Sequence, residues 1–115
     1  KNLFFTLVIL FCGNITKASL PTPSLSSPSN GSSNQPASIN FSWSNVNGAT
    51  NYELRLALDP GFSNSVSYFD SNHQTVITDI YVGVFQFWQV RAMNATDTSA
   101  WSSIFSFKSA EHIDL

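Results

Sequence analysis

Phe41-Ser-Trp43, Tyr52-Glu-Leu-Arg-Leu56, Trp88-Gln-Val-Arg-Ala92 and Trp101-Ser102 decide the fold. In each stretch, large apolar residues alternate with polar ones, the period of a half-buried β-strand. Asn, Gly, Ser and Asp clusters bound them. Ala37, Ile39, Phe41 and Trp43 share one face, with Asn40 and Ser42 opposite. Asn47-Gly48 marks a turn. Tyr52, Leu54, Leu56 and Leu58 then share a face, with Glu53, Arg55 and Ala57 behind them, and Asp59-Pro-Gly61 ends the strand.

Working outward, the alternation predicts short strands over 65–70 and 75–80. Gly83 then breaks the chain. A longer strand follows over 84–93, with Trp88, Val90 and Ala92 on one face and Phe87, Gln89 and Arg91 on the other. The last strand covers 101–108. Residues 19–36 are rich in Ser, Pro, Asn and Gly. Pro21, Pro23, Pro28 and Pro36 cannot donate to a central ladder, so this segment reads as a linker with one edge strand near 22–26. Residues 110–115 read as a tail. The sum is about seven strands at roughly ten-residue spacing, the signature of an all-β sandwich. No segment carries a sustained helical period.

Composition agrees with one domain. In 115 residues, ten Phe, three Trp and three Tyr supply a dense core. Only 10% of the residues are charged, and Asn and Ser provide the polar surface. The net charge of −2 and the lack of a Lys/Arg cluster exclude a nucleic-acid footprint.

At the amino end, Lys1 precedes about ten nearly continuous apolar residues ending at Cys12. The run is too short to span a membrane and matches the apolar core of a secretory signal peptide. Thr16 and Ala18 are spaced for cleavage after Ala18, giving a signal over 1–18 and a mature end at Ser19. Lipidation at Cys12 is the alternative membrane attachment, although Phe11 is large for that site. Cys12 is the sole cysteine, so no intrachain disulfide forms.

The order Phe41-Ser-Trp43, Val46-Asn-Gly-Ala-Thr50, Tyr52-Glu-Leu54, Asp59, Phe62, Trp88-Gln-Val-Arg-Ala92, Thr98-Ser-Ala-Trp101-Ser102 and Phe105-Ser-Phe107 resembles a fibronectin type III domain. The likeness is greatest to those found in tandem within exported bacterial proteins and covers about residues 20–109. It implies an immunoglobulin-like sandwich with residues 37–109 as its body, and Trp43 buried against Tyr52, Leu54 and Val90. One departure stands out. Where the family places a corner tyrosine two residues before Trp88, this chain has Gln86, with Tyr81 the nearby substitute. Trp101-Ser102 is similar to the tryptophan box of receptor ectodomains of this fold, which implies Arg91 stacking on Trp101.

No catalytic constellation emerges. Cys12 lies in the expected signal, His73 in a polar turn beside Asp70, and His112 in the tail. No Gly-x-Ser-x-Gly elbow occurs, and two such histidines make no metal spacing. The acids Glu53, Asp59, Asp70, Asp79, Asp97, Glu111 and Asp114 form no cation loop and no cleft-spanning pair. No cofactor is implied. Phe62, Tyr68 and Phe69 are expected in or beside loops. Phe85, Phe87, Arg91 and Trp101 form the candidate interaction face, for a protein or carbohydrate ligand. The sequence thus points to a secreted or cell-surface, non-catalytic module serving as spacer or adhesion unit among other domains of a larger exported protein. The alternatives are a carbohydrate-binding accessory module and a receptor-like ectodomain. Sequons stand at Asn14, Asn30, Asn40 and Asn94.

Overall fold

The computed structural model describes residues 20–111. The expected signal peptide, Cys12, the sequon at Asn14, and His112 in the tail lie outside the described residues. Among the described residues eight strands form in chain order: β1 (Leu25–Ser27), β2 (Ser32–Gln35), β3 (Ile39–Trp43), β4 (Asn51–Ala57), β5 (Val66–Asp70), β6 (Gln74–Ile77), β7 (Phe85–Met93) and β8 (Phe105–Ser109). They make a three-stranded sheet, β1-β3-β6, and a five-stranded sheet, β2-β8-β7-β4-β5. All pairings are antiparallel except β2 with β8, which is parallel.

Alternation in the sequence places the core. Ile39, Phe41 and Trp43 of β3 and Ile77 of β6 face Tyr52, Leu54 and Leu56 of β4, Trp88, Val90 and Ala92 of β7, and Phe107 of β8, in one buried cluster. Its centre is aromatic. Phe41 meets Trp88 edge-on at 4.9 Å and Phe107 at 5.8 Å, and Trp43 meets Tyr52 at 5.6 Å. The indole N–H groups of Trp43 and Trp88 are buried without a hydrogen-bond partner among the described residues. An unmade hydrogen bond costs about 1–3 kcal/mol. Burying a ring of about 200 Å² at about 25 cal/mol per Å² contributes roughly 5 kcal/mol, so the rings stay inside.

Several expectations need correction. The segment over 19–36, read as linker plus one edge strand, carries both β1 and β2. Leu20, Pro23 and Pro28 are buried. The chain leaves the small sheet at Pro28, turns through Asn30-Gly31 and joins the large sheet, where Gly31 N–H donates to the Ser106 carbonyl at 2.7 Å. Proline and turn residues indicate interruption, and here the interruption is a switch between sheets. Leu58 does not extend the apolar face, because β4 ends at Ala57 and Leu58 is 55% exposed. Phe62 lies in a loop as expected, between β4 and β5, but it is covered there, 7% exposed. The expected strand over 101–108 is regular only from Phe105.

Two loops are tied down by side chains. Tyr52 Oη accepts from the Val46 N–H at 2.9 Å and donates to Asn45 Oδ1 at 3.2 Å, fixing the β3–β4 connection. At the other end, the missing corner tyrosine is replaced by an amide. Gln86 Nε2 donates to the Tyr81 carbonyl at 3.3 Å, and Ser109 Oγ donates to the same oxygen. The Tyr81 side chain does not take the corner role, since it is 64% exposed and its backbone carbonyl makes the contact.

Candidate functional site

The back of the five-stranded sheet is built by the polar half of the alternation. Register pairs Glu53 with Arg91, Arg55 with Gln89 and Ala57 with Phe87, so these side chains share the outer face. Asp59 shapes the turn after β4, with Oδ2 accepting from Gly61 N–H at 3.1 Å and Ser63 Oγ at 3.3 Å. Phe62 takes a left-handed φ of 57°, and its ring lies against the Arg55 guanidinium, 4.3 Å from Cζ to centroid.

Trp101 reaches this face from an irregular stretch beside β7. Ser99 N–H donates to the Ala92 carbonyl at 2.8 Å, and Ala92 N–H donates to Ser99 Oγ at 2.9 Å. Ser102 repeats the pattern on Val90, at 2.9 and 3.0 Å. Each serine satisfies both backbone groups of one β7 residue, as a paired strand would. Ala100 and Trp101 bulge out between the two serines, and the indole swings over the sheet. Arg55 and Arg91 each lie 4.4 Å from it. The result is a ladder: Phe62, Arg55, Trp101, Arg91.

Each cation is also held in the sheet plane. Arg55 Nε donates to Gln89 Oε1 at 2.7 Å. Arg91 Nη2 meets Glu53 Oε1 at 2.7 Å, with the glutamate side chain 11% exposed and the arginine side chain 34%. Ser67 Oγ donates to Glu53 Oε2 at 2.7 Å. Guanidinium groups on indole faces are attractive electrostatically, and desolvation by the rings strengthens the ion pair beside them.

Beyond this ladder on β7 stand Phe87, half-buried, and Phe85, 55% exposed with Lys108 Nζ 5.7 Å from its ring. The structure therefore puts Arg91 and Trp101 in contact and sets Phe85 and Phe87 toward the other end of the same strand. His73 is exposed, with Nδ1 3.1 Å from the Trp43 carbonyl. Among the described residues, no group of three or more His, Cys, Asp or Glu side chains is placed to hold a metal ion. Sequence reasoning missed Arg55, Phe62, Glu53 and Gln89. The parity of Glu53 and Arg55 against Gln89 and Arg91 could have paired the charges. The return of Phe62 depends on the turn's φ angles, which the sequence does not print.

No family model matches the sequence, and no curated protein matches it at a significant level. Solved structures do match. A domain of the human collagen alpha-1(XX) chain, of fibronectin type III, superposes with a TM-score of 0.65 at 15% identity, covering 89% of this chain and 96% of that one. A Fn3-like protein from Clostridium thermocellum gives 0.62 at 14% identity, covering 86% and 100%. This is a fibronectin type III fold. A domain of the human fibronectin type III domain containing protein 3 gives 0.63 at 14% identity, covering 87% and 94%. At such identities the type III likeness concerns the fold alone. The eight strands include the split first strand, β1 and β2, which serves both sheets of this type III sandwich.

Proposed function

We propose that the chain is a non-catalytic extracellular module that holds neighbouring domains apart and presents the outer face of its large sheet to a protein partner. The observation that carries this reading is where the described chain enters and leaves. A Cβ on Gly48 would lie 3.3 Å from Leu20 Cδ2, and Asn94 Nδ2 donates to the Gly48 carbonyl at 3.0 Å, so Leu20 stands beside the carboxyl end of β7. Gly83 N–H donates to the Ala110 carbonyl at 3.1 Å, so Ala110 stands beside the amino end of β7. The nine residues of β7 separate the two, a span of about 27–30 Å at about 3.3 Å per residue. A sandwich entered at one end and left at the other is a strut.

The ladder supports the interaction half of the reading, because it stiffens a face whose aromatic and cationic groups are the types enriched at protein interfaces. Arg91, Trp101, Phe85 and Phe87 are the residues assigned to that face. Phe87 is half-buried and Phe85 carries Lys108 nearby, which weighs against an open stacking platform for sugar rings. Export is tested by the mass of the product from the full reading frame. The expected outcome is an extracellular protein cleaved after Ala18. An uncleaved protein retained inside the cell would overturn the extracellular assignment.

A further inference from the structure

On the other side of the large sheet, a cleft of about 300 Å³ opens between Leu56–Leu58 at the end of β4, Val66 and Tyr68 of β5, and Asp79, Tyr81 and Gln86. It runs along β5, the edge strand of the five-stranded sheet. The walls are aliphatic, with Leu56, Leu58 and Val66. Two phenol rings, Tyr68 and Tyr81, flank the single carboxylate, Asp79.

Charge decides what fits. Asp79 has no ion-pair or hydrogen-bond partner among the described residues. The cations among the described residues are engaged away from the cleft: Arg55 with Phe62, Trp101 and Gln89, Arg91 with Trp101 and Glu53, and Lys108 with Glu111 at 3.3 Å. Burial, then the Asp79 carboxylate, then Tyr81 push the Tyr68 phenol above its ordinary value, so at neutral pH it stays protonated. The cleft thus offers one negative charge, two ring faces attractive to a cation and an apolar channel for a methylene stem. A neutral sugar could hydrogen-bond to Asn64, Asp79, Gln86 and the two phenols, but it would leave the Asp79 charge without a counter-ion and the aliphatic wall of Leu56, Leu58 and Val66 without an apolar partner.

We propose that this cleft is a docking pocket for a lysine or arginine side chain of a partner protein, with Asp79 receiving the charge, Tyr68 and Tyr81 flanking it, and Leu56, Leu58 and Val66 covering the stem. The assignment rests on the interaction reading above only in that the partner is a protein. It lies on the opposite side of the sheet from Arg91 and Trp101, so either site can fail alone.

The test uses the full chain, labelled with 15N, titrated with Nα-acetyl-lysine methylamide and with the uncharged Nα-acetyl-norleucine analogue. A single ion pair at an open cleft is weak, so the lysine probe is expected to bind in the millimolar range, shifting amides of 56–58, 66–68 and 79–81. Asp79→Asn and Tyr81→Ala are each expected to weaken it several-fold, with the rest of each spectrum unchanged. Equal binding of the norleucine analogue, indifference to Asp79→Asn, or shifts centred away from the cleft would overturn the proposal. Tighter binding of a neutral disaccharide in the same cleft would also overturn it.

Discussion

Replacing Arg91 with Met keeps most of the stem and removes the charge, leaving the Glu53 carboxylate, 11% exposed, with Ser67 as its remaining donor. Stranding one member of a buried ion pair costs about 3–5 kcal/mol. Arg91 is one-third exposed, and water reaching Glu53 through the gap reduces this to about 2–3 kcal/mol. Losing the stack on Trp101 adds about 0.5–1 kcal/mol, so Arg91→Met should destabilise by about 3 kcal/mol. The double variant Arg91→Met, Glu53→Gln removes the stranded charge and should recover about half of that loss. Urea denaturation followed by tryptophan fluorescence reads both. With a slope of about 1–3 kcal/mol per M, the single variant's midpoint should fall by roughly 1–3 M. Repeating the measurement in about 0.5 M NaCl should change the difference little, because salt screens exposed pairs far more than buried ones. A loss below about 1 kcal/mol, or a double variant no more stable than the single, would refute the claim that the ladder encloses this pair.

Other substitutions test other parts. Ser102→Ala strands the Val90 N–H and should cost about 1–3 kcal/mol, with faster hydrogen exchange at Val90 than at Leu54. Gly48 sits at φ 92°, so Gly48→Ala should cost about 1–3 kcal/mol in a thermal melt. Tyr68 has a folded-state value above its ordinary 10.0. The folded protein then holds a proton that the unfolded chain releases. Stability is therefore intact below about pH 10 and falls as pH rises through the folded value. Tyr68→Phe should remove that part of the alkaline loss in urea titrations.

The sandwich was legible because its strands alternate cleanly: Phe41 with Trp43, and Trp88 with Val90 and Ala92, announce one buried face each. Arg91 beside Trp101 was implied by the resemblance of Trp101-Ser102 to a tryptophan box. The rest of the ladder could not, because it depends on long-range register, Glu53 against Arg91, and on a left-handed Phe62. The role of 19–36 was obscured by its prolines, which break strand patterns locally while routing the chain between two sheets. Gln86 as a corner residue was hidden for another reason. An amide reaching the Tyr81 carbonyl does the work of a phenol without resembling one. The cleft beside β5 brings together the end of β4, β5 and the 79–86 stretch, a long-range meeting that no local pattern reports.

The strut is tested most directly by pulsed electron resonance on the full chain. Spin labels would replace Asn47 and Val82, in the loops at opposite ends, in a Cys12→Ser background. A strut gives one narrow distance population, roughly 30–40 Å once the label arms are added to the span of β7. A broad distribution, or one centred well below that span, would contradict it.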